Sequence, residues 1–294
     1  MINFRYHVVS IIGIFIALAV GVVLGAGPLQ RSINAGMNPS SSQAASDPVL
    51  SAQAEAEAAG LKALASSTLT GSLTGTSVAL VVLPGASDDD VSAIRSTLTD
   101  AGASVVGRVT LTDNWQSTSM SQYRTTLATT LASHLQSGGA KTASADGVVG
   151  YSIVQVLTST GSETDLLRQI LTDKSTPLMT IDEDPAGKAT TLVAIGARAQ
   201  TTTSTQASVA ASSDAWIGLG LAVGSTSGVV VGDASSREAM ISQIRTSGTA
   251  VTTVDSVGTT LASVNTALAL STASSGARAF GVGSGAQSVI PSSK

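Results

Sequence analysis

Hydrophobic positions are distributed very unevenly along the chain. Residues 8–27 carry no charged side chain and almost no polar one, and this stretch is about as long as a helix that crosses the hydrocarbon of a membrane. Beyond residue 75, short apolar runs alternate with stretches whose apolar residues recur at helical spacing. The pattern predicts one membrane-spanning helix followed by an α/β domain.

The apolar stretch is predicted to stay attached as a membrane anchor over residues 8–27. It is longer than the apolar core of a signal peptide, and Pro28 follows directly, where a protease would need an accessible extended bond. Arg5 precedes the stretch, so the positive-inside bias predicts a cytoplasmic N-terminus, residues 1–7, with the rest outside the cytoplasm. Lipid contacts are expected from Val8, Ile12, Phe15, Leu18, Val22 and Leu24.

Residues 28–75 are predicted to be a linker and a stalk helix. Asp47-Pro48 combines an N-cap residue with proline at the first helical position, and the composition is helical from Val49 to about Leu69. The helix is either a spacer or a short coiled coil, and the spacer is favoured because fewer than three clean heptads are present. Its candidate partner contacts are Leu50, Leu61, Leu64 and Leu69.

Residues 76–294 are predicted to be one extracytoplasmic α/β domain. The apolar run 78–83 is typical of a buried parallel strand, the helix 91–100 follows three aspartates, and 103–111 is the next strand. The same order recurs at 228–255, which predicts two related βαβ halves in a Rossmann-like or flavodoxin-like three-layer domain. Further helices are predicted at 118–136, 163–173, 206–223, 235–248 and 259–269, further strands at 178–181 and 190–195, and either a helix or a strand at 146–157.

Composition removes several classes of function. Charged residues are 12% of the chain and the net charge is −4, so nucleic-acid binding has no electrostatic support. There is no cysteine, which excludes disulfides and thiolate metal sites. Aromatic residues are 3%, so the core must be built from aliphatic side chains.

Clusters of acidic residues and glycines are candidates for chemistry. The triplets 88–90 and 182–184 are interpreted as a helix start and a solvated turn rather than as metal sites. The spacing of Gly281, Gly283 and Gly285 is similar to that of a phosphate loop, but neither a lysine nor a long helix follows. Together with Phe280, these glycines are a second candidate interaction surface. Three more glycines are expected to allow close helix packing, namely Gly218, Gly220 and Gly224.

Histidine and methionine offer little catalytic or metal-binding potential. A Ser-His-Asp site would depend on His134, the only histidine beyond the anchor, for which the sequence shows no partner. Copper prefers imidazole and sulfur ligands, whereas the methionines Met37, Met120, Met179 and Met240 are scattered singly. No catalytic residue and no cofactor is therefore expected, with copper as the alternative ligand.

Both ends of the chain resemble a known family. Met1-Ile-Asn-Phe-Arg-Tyr-His-Val-Val-Ser10, together with residues 17–25, is similar to the start of the actinobacterial MctB/SteB family, labelled copper transport outer membrane protein. Residues 280–291 resemble its closing glycine-rich motif, and residues 81–89 with the turn at Gly102 also fit. The stalk departs from the family in being shorter and less charged, with Gly60 inside it.

The resemblance implies a short cytoplasmic N-terminus, one membrane span, a coiled-coil stalk and an extracytoplasmic α/β domain. It also implies one of two functions. The first is envelope work in cell separation, through a SteA-like membrane partner and peptidoglycan hydrolases. The second is copper transport or homeostasis. A single anchor whose only polar group is Ser10 offers no lining for an ion, so the expectation is a non-catalytic protein-interaction module, with a homodimer as a further option.

Overall fold

The structure is a computed structural model that describes residues 48–199, 210–272 and 276–291. The predicted anchor, including Val8, Ile12, Phe15, Leu18, Val22 and Leu24, and the linker before residue 48 lie outside these ranges. Among the described helices, none combines the length and the apolar character that a membrane crossing needs. The chain divides into two units, Met1–Ala56 and Glu57–Lys294.

The helices and strands alternate along the chain. The helices are α1 (Pro48–Leu69), α2 (Asp88–Asp100), α3 (Asp113–Gln116), α4 (Ser121–Ala132), α5 (Ala145–Thr158), α6 (Ser162–Leu171), α7 (Ser213–Gly224), α8 (Met240–Thr246) and α9 (Thr260–Ser271), with 3-10 turns at Thr118–Met120 and Gly138–Thr142. The strands are β1 (Ser77–Val82), β2 (Ser104–Leu111), β3 (Met179–Glu183), β4 (Thr191–Ile195), β5 (Val229–Val231), β6 (Thr252–Val254) and β7 (Ala279–Phe280).

One seven-stranded sheet in the order β3-β2-β1-β4-β5-β6-β7 organises the second unit. All neighbouring strands are parallel except β3, which pairs antiparallel with β2. The predicted α/β class is confirmed. The two predicted strand–helix–strand units, β1-α2-β2 and β5-α8-β6, lie on opposite sides of β4, and their relatedness stays a prediction.

Helices cover both faces of the sheet. In β1, Val78, Leu80 and Val82 point into one core cluster, and Ala79 and Val81 point into the other, as the two-residue period of a strand requires. Helix α2 packs into the first of these clusters and α8 into the second. The two crossovers run in opposite directions along the sheet, so a common right hand places their helices on opposite faces.

The stalk helix is confirmed as a helix, and its C-terminal part belongs to the α/β unit. Ala65 and Leu69 are buried on the face that carries α2 and α9, and Leu73 in the following turn joins them. The compact unit therefore begins at Glu57, ahead of the first strand. Pairing of α1 as a coiled coil stays a prediction.

The ambiguous stretch 146–157 is a helix. Ser144 caps α5 by accepting the Gly147 N–H, and all residues from Gly147 to Leu157 are buried. A helix enclosed on every side lacks the polar stripe that identifies an amphipathic helix, which explains the ambiguity. α5 packs closely against α7, where a side chain at Gly150 would lie 2.6 Å from the Gly218 carbonyl oxygen. The prediction of glycine-mediated helix packing is confirmed at Gly218.

Several predicted elements start or end elsewhere. The helices predicted at 118–136 and 206–223 span Ser121–Ala132 and Ser213–Gly224, and residues 206–209 lie outside the described ranges. Helix α8 begins at Met240 instead of 235, because the Asp233 carboxylate accepts hydrogen bonds from the N–H and the hydroxyl of Ser235 and holds a turn there. The sequence predicts no strand at residues 279–280, which precede the glycine-rich tail, but the structure forms β7 there. Its two residues pair with β6, and residues 287–288 fold back along its outer edge.

Candidate functional site

The point where the strand order reverses lies between β1 and β4. The chain leaves β1 towards β2 and leaves β4 towards β5, in opposite directions along the sheet. Such divergence leaves a crevice at the carboxyl ends of the strands, where open α/β sheets bind ligands. A cleft of about 860 Å³ occupies this position, between the loop after β1 and the loop after β4. We call it the carboxyl-edge cleft.

One wall of the cleft is a short antiparallel bridge between two loops. Ser117 pairs with Ala211, the Thr118 N–H donates to the Ala210 carbonyl at 2.9 Å, and the Ser212 N–H donates to the Gln116 carbonyl at 2.7 Å. The Trp216 indole extends this wall and lies 3.4 Å from the Gln116 side-chain oxygen. These contacts join the loop after β2 to the start of α7.

Arg124 supports the same wall from inside. Its side chain has no exposed surface; Nε donates to Asp146 at 2.5 Å and one terminal nitrogen donates to the Ser117 carbonyl at 2.7 Å. Sequence reasoning placed this residue inside a helix without assigning it a role. Arg124 stands on the buried stripe of α4, four residues before Ala128 and seven before Leu131. An arginine at such a position has no distinctive sequence signal, so only the tertiary contacts identify it.

The opposite side of the cleft holds a bidentate ion pair. Arg198, after β4, donates to both oxygens of Asp90 in the first turn of α2, at 2.7 and 2.6 Å. Asp90 is 4% exposed and Arg198 51%. The hydrogen bonds from Arg198 to this carboxylate raise the pKa of the guanidinium. The pair ties the helix after β1 to the loop after β4 across the switch point.

The remaining charges that line the cleft are negative. Asp113 follows β2, Asp233 follows β5, and Glu238 precedes α8. Within the described ranges Asp113 and Glu238 form no ion pair, and the Asp233 carboxylate accepts only from Ser235. The cleft is therefore a concave site with three carboxylates, one indole and one arginine that is already paired.

A second polar network lies at the ends of β6 and β7. The Asp255 carboxylate is 1% exposed and accepts from Arg245 at 3.0 Å, from the Ser256 hydroxyl at 2.7 Å, and from two backbone N–H groups at 2.9 and 3.0 Å. Burial pushes the pKa of Asp255 up, but hydrogen bonds from Ser256, Val282, Arg245 and Gly283 outweigh it and hold the pKa below its ordinary value. The sequence placed Asp255 only at a strand end.

The glycine-rich tail encloses this aspartate. Its backbone N–H groups at Val282 and Gly283 donate to Asp255, and a methyl group built at Gly281 would overlap that carboxylate. A protein carboxylate thus takes the place that a phosphate would occupy in a phosphate loop. Phe280 is 3% exposed and packs into the core. Gly281, Gly283, Gly285 and Phe280 are therefore engaged in the domain's own packing, and their role as a partner surface stays a prediction.

The four candidate leucines of the stalk divide into two sets. Leu69 is 3% exposed and Leu61 packs against the same cluster. Leu50 and Leu64 are 64% and 73% exposed. The structure therefore makes only Leu50 and Leu64 accessible to another molecule.

One acidic triplet begins a helix, and the other forms ion pairs with arginines. The aspartates 88–90 form the first turn of α2 as predicted, but the N-cap is Ser87, whose hydroxyl accepts the Asp89 N–H at 3.3 Å. The second triplet was predicted to be a solvated turn, which is wrong because Asp182 and Glu183 lie in β3. Each of its carboxylates pairs with an arginine, in the pairs Arg108–Asp182, Arg95–Glu183 and Arg168–Asp184. Among the described residues, no three histidine, cysteine or acidic side chains come together as a metal site would require.

His134 has a partner, contrary to the sequence prediction. Its Nδ1 lies 2.5 Å from the Glu163 carboxylate. Glu163 stands 29 residues further along the chain at the start of α6, so the pairing depends on how α4 and α6 pack. No spacing in the sequence indicated it.

Comparison with known proteins gives one match. The family model described as "Copper transport outer membrane protein, MctB" matches residues 1–291. A search of curated proteins found no match.

Proposed function

The chain belongs to the MctB family, and from that premise we propose that it is a membrane-anchored, non-catalytic envelope protein whose α/β domain binds another envelope protein. Residues 8–27 are its single anchor, residues 1–7 are cytoplasmic, and the domain lies outside the cytoplasmic membrane. The function is cell separation, through a SteA-like partner and the peptidoglycan hydrolases that it regulates.

The exposed leucines of α1 carry this proposal. Leu64 lies about 100° around the helix from Ala65 and about 140° from Leu69, and both of those residues pack on the domain. Leu50, near the start of the helix, is exposed as well. Large exposed apolar side chains on a helix are the usual anchors of helix-in-groove recognition. Helix α1 thus packs on the domain through Ala65 and Leu69 and exposes Leu64 on a different side.

The polar groups with catalytic potential support a non-catalytic role. Asp255 is held as a carboxylate by Arg245 and backbone N–H groups, and its lowered pKa makes it a weak base. The Nδ1 of His134 is committed to Glu163. Both residues contribute to structure through these contacts.

Site-specific photo-crosslinking tests the proposal in native membranes. A photoreactive amino acid at Leu64 of the full chain is expected to capture a cell-wall hydrolase or its regulator. The same group at Ala63, which is exposed and lies about 100° around the helix from Leu64, serves as the position control. Leu64→Glu should abolish complementation of the cell-separation defect of a deletion strain, whereas Ala63→Glu should not. Normal cell separation by Leu64→Glu, with no hydrolase or regulator captured, contradicts the proposal.

Copper homeostasis is the second candidate, and the family description favours it. The second ring nitrogen of His134 is not used in its contact with Glu163. Met120 is partly buried at the end of the 3-10 turn Thr118–Met120. Met179 has no exposed surface. Copper titration of the full chain distinguishes the candidates: tight stoichiometric binding that disappears in His134→Ala or Met120→Leu, together with copper sensitivity of a deletion strain, would favour copper homeostasis.

A further inference from the structure

The carboxyl-edge cleft is separate from the leucines of α1, and its chemistry does not depend on the proposed partner binding. Its volume of about 860 Å³ lies in the range of small-molecule sites, roughly 300–1,000 Å³. It also occupies the switch point, where the fold leaves a crevice for topological reasons. Which ligand it accepts depends on the groups that line it.

An anion is disfavoured at this edge of the sheet. In folds of this kind, anions bind at the N-terminus of the helix that follows the first strand, where free N–H groups and the helix dipole attract negative charge. Here the first turn of α2 carries Asp88, Asp89 and Asp90, and Ser87 accepts one of the free N–H groups. The positive end of the helix is therefore already neutralised.

A cation is favoured by the remaining charges. Asp113 reaches the cleft after β2, and Asp233 and Glu238 reach it from the loop between β5 and α8. Arg198, the basic residue among those that line the cleft, is bound to both oxygens of Asp90. A concave site with uncompensated carboxylates concentrates positively charged ligands.

The apolar part of the lining favours an organic cation over a metal ion. The indole of Trp216 and the side chain of Met240 line the same cleft. An aromatic face attracts an ammonium group, and a thioether packs against carbon chains. A hydrated metal ion gains little from either group.

We propose that the carboxyl-edge cleft binds a small organic cation, an alkyl chain bearing ammonium groups. The charge lies near Asp113 and Glu238, and the carbon chain lies against Trp216 and Met240. A free small molecule is the occupant, because a single side chain from a partner protein would fill only a fraction of this volume.

Calorimetric titration of the full chain with 1,5-diaminopentane tests the proposal. We expect saturable binding at millimolar concentrations, a change in Trp216 fluorescence that Trp216→Phe removes, and no binding of 1,5-pentanediol, which has the same length without charge. Asp113→Asn combined with Glu238→Gln should weaken binding roughly tenfold, since each removes one partly screened ion pair. Both side chains are exposed, so the fold should be retained, which circular dichroism checks.

Asp165→Asn is the matched control, because it removes an exposed carboxylate on α6, away from the cleft, and should leave the affinity unchanged. The proposal is overturned if the diamine gives no saturable heat, if the diol binds equally well, or if the cleft variants bind like the control. Binding of a lysine-containing peptide without binding of the diamine would also overturn it and make the cleft a docking site for a partner.

Discussion

Arg245 and Asp255 form an ion pair of 3.0 Å that is almost completely enclosed, with side-chain exposures of 8% and 1%. Arg245 also donates to the carbonyl oxygens of Phe280 and Ser284, each at 2.9 Å. A single guanidinium therefore joins α8, the end of β6 and the glycine-rich tail. The glycine-rich tail thus has a structural role in the domain.

Removing one member of this pair should destabilise the domain. Arg245→Met leaves Asp255 buried with only its Ser256 and backbone donors, and breaking a buried pair typically costs about 3–5 kcal/mol. We expect a loss near the lower end, because those donors remain. Urea unfolding of Arg245→Met, of Asp255→Asn and of the double variant measures it. Strictly additive losses would show that the two side chains are not coupled.

Acid should weaken the domain through Asp255. Because its folded pKa is lowered, its contribution is complete above the unfolded pKa of about 4 and is lost as the pH falls through the folded pKa. The melting temperature should therefore fall on acidification below about pH 4, and less steeply in Asp255→Asn. Glu183 and Asp184 also have lowered pKa values, from hydrogen bonds to Arg95 and Arg168, and they contribute equally to both proteins. Parallel melting curves would contradict this assignment.

Two glycine-to-alanine substitutions should change the free energy of unfolding in opposite directions. In Gly281→Ala, the new methyl group overlaps the Asp255 carboxylate and the backbone φ is +127°, so we expect a loss of about 2 kcal/mol or more in the free energy of unfolding. In Gly60→Ala, on α1, nothing lies within 4 Å of the new methyl group, and the helix should gain up to about 1 kcal/mol. Thermal unfolding compares the two. Equal effects would mean that Asp255 moves freely out of the tail.

Much of the fold could be predicted because it depends on local pattern. The apolar run of β1 predicts a buried parallel strand, since both faces of the sheet are covered. The antiparallel direction of β3 could not be predicted, because it depends on where the chain returns after α6. The long connection from β2 to β3, residues 112–178, permits either direction.

The contacts of Asp255 and of Asp90 could not be predicted from the sequence for a related reason. Asp255 meets Val282 across 27 positions, and Arg198 meets Asp90 across 108. No local spacing encodes such contacts. The glycines of the tail resemble a ligand loop in sequence, whereas the N–H groups of Val282 and Gly283 are occupied by a carboxylate of the same chain.

Replacing Arg124 should loosen one wall of the carboxyl-edge cleft. Arg124→Met removes the contacts to Asp146 and to the Ser117 carbonyl. Because Asp146 keeps 15% exposure and can recruit water, we expect a loss of about 3 kcal/mol, at the lower end for a broken buried pair. Hydrogen exchange should accelerate at the amides of Thr118 and Ser212, whose bonds close that wall.

Two further variants separate charge from geometry at this position. Arg124→Lys keeps the charge but lacks the planar group that reaches both partners, so it should recover only part of the lost stability. Arg168→Met removes a pair with exposures of 26% and 50%, and it should cost less than about 1 kcal/mol with no change at Thr118. Full recovery by lysine would mean that charge alone maintains the wall. Equal exchange rates in Arg124→Met and the unmodified protein would mean that the bridge between Ser117 and Ala211 holds without Arg124.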